Sequence, residues 1–385
     1  MRIGFFTDTY LPEIHGVEVS IESFRRTLEA MGHEVYIYAP ETPGYKDANP
    51  RVFRFKSQRI LKNPEMRYSF DFLPVGHTFG EISRFKLDVV HAHTPFGLGL
   101  LAKYISERQL IPLIYTHHTH YQEYAKFYLK EKILLPYLAK VYTTWFSSIA
   151  HAIISPSLKI KKLLREYGVK QKVPIYILPT GIDLQIFKKV VGEKQALRKK
   201  LKISDQAKIL LTVSRIAEEK NVKFLIDSFA KFVKKDVFFL LVGGGPFLEE
   251  AKKLVKKLKI EKNIIFIGKV FPEKVSAYYK AADIFLFASL TDTQGIVLLE
   301  ALACGLPVVA LKDDAFSGVI LNGKNGFLTN KQNFNKKVTT LLENETMYKK
   351  LSAEAVKTAS IFSNQNMAKK LVDIYEEQIK RTYNK

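Results

Sequence analysis

Cysteine is almost missing from this chain: 385 residues contain one, Cys304. That excludes an internal disulfide framework and any multi-cysteine zinc or iron–sulfur site. Long apolar runs are missing too. The longest uncharged stretch, Val141 to Leu158, is broken by several Ser and Thr, a His and a Pro, and makes a poor membrane span. The opening Met1-Arg-Ile-Gly-Phe-Phe6 runs straight into charged, turn-forming residues, so no signal peptide is expected. With so little cysteine, a reducing cytoplasm is the expected location. There is no G-x-x-x-x-G-K-[ST], which excludes a Walker-type ATPase, and no G-x-G-x-x-G dinucleotide fingerprint. Short-period repeats and low-complexity segments are absent. So are zinc-finger, RNA-recognition and homeodomain signatures, and nucleic acid is not an expected partner.

Acidic residues are outnumbered, 38 against 60 Lys plus Arg, for a formal charge of +22. Such a field attracts polyanions, and its distribution says more than its size. Residues 1–50 are net acidic, whereas Lys159 to Lys202 hold thirteen basic and three acidic residues. Lys252, Lys253, Lys256, Lys257 and Lys259 form a second cluster on one predicted helix. These runs read either as solvated helix faces or as attraction to an anionic membrane surface, worth about 1 kcal/mol per well-placed cation.

Hydrophobic residues make up 47%, enough for sizeable cores, and the length suggests two or three domains. Short apolar runs alternate with amphipathic segments. Strands are expected at 3–6, 35–38, 52–55, 88–91, 113–115, 152–154 and 175–178. Helices are expected at 18–31, 97–108, 124–149 (interrupted at Pro136) and 157–167. After Pro179-Thr-Gly181 the pattern restarts, with strands at 209–213, 238–242, 264–266, 284–287 and 307–310. Helices there fit 222–232, 247–258, 274–281, 294–303 and 335–342. Two such series imply two doubly wound parallel α/β domains in tandem. The expected division is 1–182 and 183–363, with a terminal amphipathic helix, 364–385, returning to the first domain. Ligands of open α/β sheets bind beyond the carboxyl ends of the strands, where the strand order reverses.

Several residues at such positions could carry chemistry. Gly16, just before the first helix, lets backbone N–H groups approach a phosphate, or serves an ordinary tight turn. Arg215 and Lys220 follow a buried strand and could grip two phosphates, the Arg as a fork and the Lys as a point charge; the alternative is plain surface charge. Val242-Gly-Gly-Gly-Pro246 joins a strand to a helix, with Pro246 suited to the first helical position. In Asp292-Thr-Gln-Gly-Ile-Val-Leu-Leu-Glu300 the two acids stand eight apart. Gln294, Gly295 and Ile296 are expected to open a helix whose N–H groups could hold an anion. Glu300, two turns on, could hold a ribose or face solvent. Five of nine histidines, His91, His93, His117, His118 and His120, fall after two neighbouring strands. They could bind a metal or donate hydrogen bonds to a substrate.

Taken in order, these motifs resemble the retaining glycosyltransferases of family four. The resemblance is carried by Tyr10-Leu-Pro-Glu-Ile-His-Gly-Val17, Val89-Val-His-Ala-His93, Tyr115-Thr-His-His118, Leu178-Pro-Thr-Gly-Ile-Asp183, Val213-Ser-Arg215, Glu219-Lys220, the triple glycine and the block from Asp292 to Ala310. It implies the GT-B fold, two Rossmann-like domains facing a central cleft. It also implies transfer of a hexose from a nucleotide sugar with retention of configuration and no required metal, magnesium being at most stimulatory. In that resemblance Gly16 leaves room for the diphosphate. Arg215 and Lys220 stabilise the departing nucleoside diphosphate. Gln294, Gly295, Ile296 and Val297 position sugar and phosphates, Glu300 takes the ribose hydroxyls, and His118 sits against the donor sugar. Asp292 stands where the family usually has Glu, and His15-Gly16 where it often has Gly-Gly. Within the family, the opening segment and Tyr-Thr-His-His-Thr look most like enzymes that glucosylate diacylglycerol. The implied donor is UDP-glucose, the acceptor a membrane lipid, and the place the inner face of the membrane. A phospholipid or polysaccharide acceptor and a non-catalytic binding protein are the alternatives.

The stretch Tyr124–Ile149 bears on the acceptor. Phe127, Tyr128, Leu134, Leu138, Val141, Trp145 and Phe146 alternate there with Lys126, Lys130, Lys132 and Lys140. It reads either as an interfacial membrane helix or as an internal helix with Leu134, Leu138, Val141 and Trp145 in the core.

Overall fold

The computed structural model describes residues 1–13, 15–60, 63–69, 82–128, 133–187 and 193–384. The chain divides into two compact units, one of residues 1–181 and 364–385, the other of 182–363.

The first unit is built on a parallel sheet. Its strands are β1 (Arg2–Phe6), β2 (Glu34–Pro40), β3 (Val52–Phe55), β6 (Val89–Ala92), β7 (Leu113–Thr116), β8 (Ala152–Ser155) and β9 (Ile175–Ile177). Their spatial order is β3-β2-β1-β6-β7-β8-β9. A separate antiparallel pair, β4 (Ser57–Ile60) and β5 (Asn63–Ser69), was not expected from the sequence. The order reverses between β1 and β6, where Phe5 stands beside His91 and Phe6 beside Ala92. Phe6 stacks on Tyr38 at 4.4 Å, and Tyr115, Phe146 and Ile153 complete the same core. The terminal helix Asn364–Tyr383 buries Met367, Leu371, Ile374 and Tyr375 in this unit. Its apolar face recurs at helical spacing, as the sequence implies.

The second unit has β10 (Lys208–Val213), β11 (Val237–Val242), β12 (Ile264–Gly268), β13 (Ile284–Phe287), β14 (Val308–Leu311) and β15 (Gly326–Thr329), all parallel. Their order, β12-β11-β10-β13-β14-β15, reverses between β10 and β13. Alternate residues feed two cores. Ile209, Leu211, Leu240, Val242, Phe285 and Phe287 face one side; Leu210, Phe239, Leu241, Ile284 and Leu286 face the other. This is why the strands read as unbroken apolar runs: a parallel sheet with helices on both faces has no wet side.

Several segments depart from the sequence reading, the unexpected helices Leu184–Phe187 and Glu193–Lys200 among them. Strand β15 begins at Gly326, where a Cβ would lie 2.4 Å from the Val308 carbonyl oxygen. The glycine permits this close strand contact. Helix Glu345–Ile361 was not foreseen, although Asn344 caps it by accepting the Met347 N–H at 2.8 Å. The expected single helix over 124–149 is two, Tyr121–Tyr128 and Leu134–Ile149, and Pro136 lies harmlessly in the first turn of the second.

Part of the basic run is structural. Arg198 is buried, donates to Asp283 at 2.8 Å and also reaches the carbonyls of Ala281 and Ala207. Arg165 donates to the carbonyls of Val169, Lys170 and Val173. Lys188 and Lys189 lie outside the described residues. In the second cluster, Ala251 and Val255 face the core while Lys252, Lys253, Lys256 and Lys257 face solvent, an ordinary solvated helix face.

Candidate active site

In the second unit the order reversal opens a crevice between the loops after β10 and β13, and the charged candidates gather there. A short 3-10 turn, Glu218–Lys220, carries Lys220, and Asn221 reverses the chain in the left-handed region at φ 54°. Lys220 Nζ donates to Asp292 Oδ1 at 2.7 Å, each side chain 21% exposed. The Leu290 N–H donates to the Glu219 carbonyl at 3.0 Å, tying the same two loops through their backbones. Arg215, earlier in the first loop, presents its side chain to solvent.

The triple glycine has an internal reason. A Cβ on Gly243 would lie 1.9 Å from the Ser214 carbonyl oxygen, and one on Gly245 2.4 Å from that of Ile216. The loop after β11 therefore presses on the Arg215 loop and shapes it. Pro246 is not the first helical residue: Phe247 caps a helix that begins at Leu248.

Gln294 and Gly295 also lie outside the helix expected to start with them. Gly295 is its cap, in the left-handed region at φ 72°, and the helix is Ile296–Ala303. The Leu298 N–H is occupied by the Gly295 carbonyl at 2.9 Å. Gln294 is buried, while Ile296 and Val297 are half-buried at the crevice end. Glu300 accepts a hydrogen bond from the Tyr279 hydroxyl at 2.6 Å, and Tyr279 is wholly buried. Burial pushes the Glu300 carboxyl upward and the tyrosine bond opposes it. Sequence reasoning missed Tyr279; it lies 21 residues upstream on another helix, among apolar neighbours that announce only core.

In the first unit the corresponding crevice lies after β1 and β6, and its chemistry is different. Glu18, buried, accepts from the His15 N–H at 3.0 Å and from the Thr9 hydroxyl, which fixes the loop ahead of helix Gly16–Ala30. Gly16 opens that helix, and a Cβ there would meet nothing within 4 Å. Protein packing therefore does not demand glycine at this position, unlike Gly243 and Gly245. Asp8, unnoticed in the sequence, accepts from the Thr94 hydroxyl and from the Leu98 N–H at 3.0 Å. Burial raises its carboxyl to about 6 despite these bonds.

The five histidines divide by role. His91 is spanned by the Tyr375 hydroxyl at Nδ1 and the Thr116 hydroxyl at Nε2, both at 2.6 Å. His93 Nδ1 meets His118 Nε2 at 3.0 Å. His117 Nδ1 meets the Tyr115 hydroxyl at 3.1 Å, and His120 Nε2 the Tyr167 hydroxyl at 3.3 Å. Desolvation holds His117 and His118 down to about 3 and His91 and His93 well below the usual imidazole range. Among the described residues, no group of three or more His, Cys, Asp or Glu is arranged to hold a metal ion. His91, His93 and His118 line a recess of about 10 Å³ with Ser20, Thr116 and Thr180, room for about one water.

Helix Leu134–Ile149 turns its large apolar residues outward. Leu134 is 61% exposed, Tyr137 61%, Leu138 49%, Val141 49% and Trp145 44%, with Ile133 just before it at 80%. Of the named apolar set, Phe146 alone is buried among the described side chains. The reading that puts Leu134, Leu138, Val141 and Trp145 in the core is thereby overturned. Lys130 and Lys132 lie outside the described residues, as do the side chains of Lys126, Phe127 and Tyr128. No described helix is long and apolar enough to cross a membrane.

Comparison with known proteins follows the same division. Residues 14–186 match Glycosyltransferase Family 4 and residues 193–358 match Glycosyl transferases group 1. The alpha-monoglucosyldiacylglycerol synthase of Streptococcus pneumoniae is 36% identical over 80% of this chain and 71% of its own. That of Acholeplasma laidlawii is 33% identical over 100% of this chain and 99% of its own. Among solved structures, Anabaena HepE in complex with UDP superposes with a TM-score of 0.79 at 18% identity, covering 98% of this chain and all of that one. Sucrose-phosphate synthase from Thermosynechococcus elongatus gives 0.77 at 17% identity, over 98% of each chain. The architecture is the GT-B fold. With both its units matched and these relatives spanning most of its length, the chain belongs to the family-four glycosyltransferases.

Proposed function

We propose that this glycosyltransferase moves glucose from UDP-glucose to 1,2-diacylglycerol at an anionic membrane surface, with retention of configuration. The observation that carries the lipid acceptor is the outward apolar helix Leu134–Ile149. Six large apolar side chains exposed on one helix cost free energy in water and gain it at a bilayer interface. The two synthases similar over most of this chain are named for the same acceptor class.

In this reading Arg215 and Lys220 receive the negative charge that grows on the departing diphosphate, where a fixed cation stabilises the transition state more than the ground state. Lys220 is held in place meanwhile by Asp292, which turns to a sugar hydroxyl when the diphosphate takes the lysine. Gln294, Gly295, Ile296 and Val297 orient sugar and phosphates, and Glu300 accepts from the ribose. Gly16 gives the diphosphate room at a helix N-terminus. His118, neutral, donates a hydrogen bond to the donor sugar. No metal is required in this scheme.

The test is to incubate the protein with UDP-glucose and anionic vesicles containing diacylglycerol. An α-linked monoglucosyl lipid supports donor, acceptor and retention together. UDP release without glycolipid means a soluble or phospholipid acceptor. Neither product means another nucleotide or a binding protein without turnover.

A further inference from the structure

His118 was singled out by its motif, but the structure shows what holds it. The rings of His91, His93 and His118 form a stack within the first unit. Centroids of His91 and His93 are 4.2 Å apart at 27°, and those of His93 and His118 are 5.3 Å apart at 18°. One end of the stack is anchored, because both nitrogens of His91 are engaged, one by Thr116 and one by Tyr375 of the terminal helix. Phe5 closes the side, edge-on to His91 and His93. The middle ring is tied to the last by His93 Nδ1 with His118 Nε2 at 3.0 Å.

Two neutral imidazoles sharing one hydrogen bond have a donor and an acceptor, and the choice fixes both tautomers. His93 is 1% exposed, and its Nε2 is buried with no protein partner among the described residues. An unused lone pair in such a place costs less than an unused N–H. His93 therefore carries its proton on Nδ1, and His118 receives it at Nε2.

We propose that His93 is a positioning residue. Its Nδ1–H fixes the His118 ring and holds His118 in the Nδ1-protonated form, with His91 and Tyr375 buttressing the stack from behind. Two consequences follow. His118 acts toward substrate as a hydrogen-bond donor, because its basic nitrogen is already occupied, so it does not take the acceptor's proton. The terminal helix, 284 residues from His91 in sequence, becomes part of the catalytic support through Tyr375. The kinetic part rests on the reading of His118 given above; the tautomer part does not.

The experiment uses the full chain with 15N-labelled histidine. The wild-type His118 signals should be those of the Nδ1–H tautomer. His93→Asn, whose amide nitrogen reaches the place of Nδ1, should retain them. His93→Leu, and His93→Gln, whose amide reaches the place of Nε2 instead, should show mixed tautomers. Glucosyl transfer or UDP release should fall about tenfold or more in kcat for His93→Leu with the donor KM unchanged, as expected when a reacting contact is misplaced. His93→Asn should recover most of it. An Nε2–H tautomer in the wild type overturns the assignment, as do unchanged His118 signals in both His93→Leu and His93→Gln. His118→Ala separates the two readings. Full turnover in that variant removes the role of His118 while the nitrogen signals still decide the positioning bond; a dead His118→Ala beside a fully active His93→Leu removes the role of His93.

Discussion

The two units repeat one architecture and end their strands in opposite chemistry. Both are parallel sheets whose order reverses once, and both place their polar candidates at that reversal. In the second unit those groups are ionic: Arg215, Lys220, Asp292 and Glu300. In the first they are neutral imidazoles and hydroxyls, with two buried carboxyls, Glu18, which accepts from its own loop, and Asp8, pushed up toward neutrality. All nine histidines belong to the first unit and none to the second. Under the proposed reaction the contrast is a division of labour. A crevice that must hold a dianionic leaving group needs fixed cations. One that touches uncharged sugar and acceptor hydroxyls is better served by groups whose charge has been removed by burial.

The largest effect should come from breaking the ionic half. Lys220→Ala is expected to lower kcat on the order of 10³-fold, as for loss of a principal transition-state donor. Circular dichroism and the melting temperature should stay near wild type, because a partly exposed ion pair contributes at most about 1 kcal/mol. Turnover unchanged would remove Lys220 from the scheme.

The next prediction separates the units by pH. His91, His93, His117 and His118 are held neutral by burial, so the unfolded chain binds protons below about 6.5 that the folded unit does not. Stability is thus complete above that pH and falls as pH drops, by about 1.4 kcal/mol per unit for each histidine. Asp8 acts in the opposite sense between about 4 and its folded value of about 6, since there the folded form binds the proton and the unfolded one does not. Four groups outweigh one. The first unit should therefore melt earlier at pH 5 than at pH 7 while the second changes little. Trp145, the chain's one tryptophan, lies in the first unit and reports it by fluorescence. Simultaneous loss of the peptide hydrogen-exchange protection of both units on acidification would break the comparison.

A third test concerns the outward helix. Replacing Leu134, Leu138 and Trp145 with Ser should weaken binding to anionic vesicles by about tenfold or more, because each apolar side chain inserted in the interface contributes on the order of 1 kcal/mol or above. Thermal stability should move by no more than about 0.5 kcal/mol, as for other exposed positions. A large loss of stability would show that these side chains are core after all.

The smallest effect sharpens the ionic half. Tyr279→Phe removes one hydrogen bond to Glu300 and should raise the donor KM about fivefold to tenfold, with kcat nearly unchanged, consistent with a lost bond to a charged group. An equal fall in kcat would mean that Glu300 contributes to the chemical step and not only to binding.

The sequence determined a good deal about this protein by itself. Both series of strands and helices, with most boundaries within one or two residues, follow from apolar period and from glycine stops, because a buried parallel strand and an amphipathic helix leave different local patterns. The loops bearing Gly16, Arg215, Lys220 and the Asp292 block could be placed just beyond strands for the same reason. What the local pattern could not carry was anything decided between distant segments. Nothing in the local sequence shows that a Cβ at Gly326 or Gly243 would strike a neighbouring backbone carbonyl. Helix Leu134–Ile149 has the same amphipathic sequence whether its apolar side faces in or out; only the folded chain shows which side is covered. Tyr279 behind Glu300, and Tyr375 behind the histidine stack, look like core aromatics in sequence. Their hydroxyls became site chemistry because tertiary folding brought a buried donor to a group that needed one, and no residue spacing records that meeting.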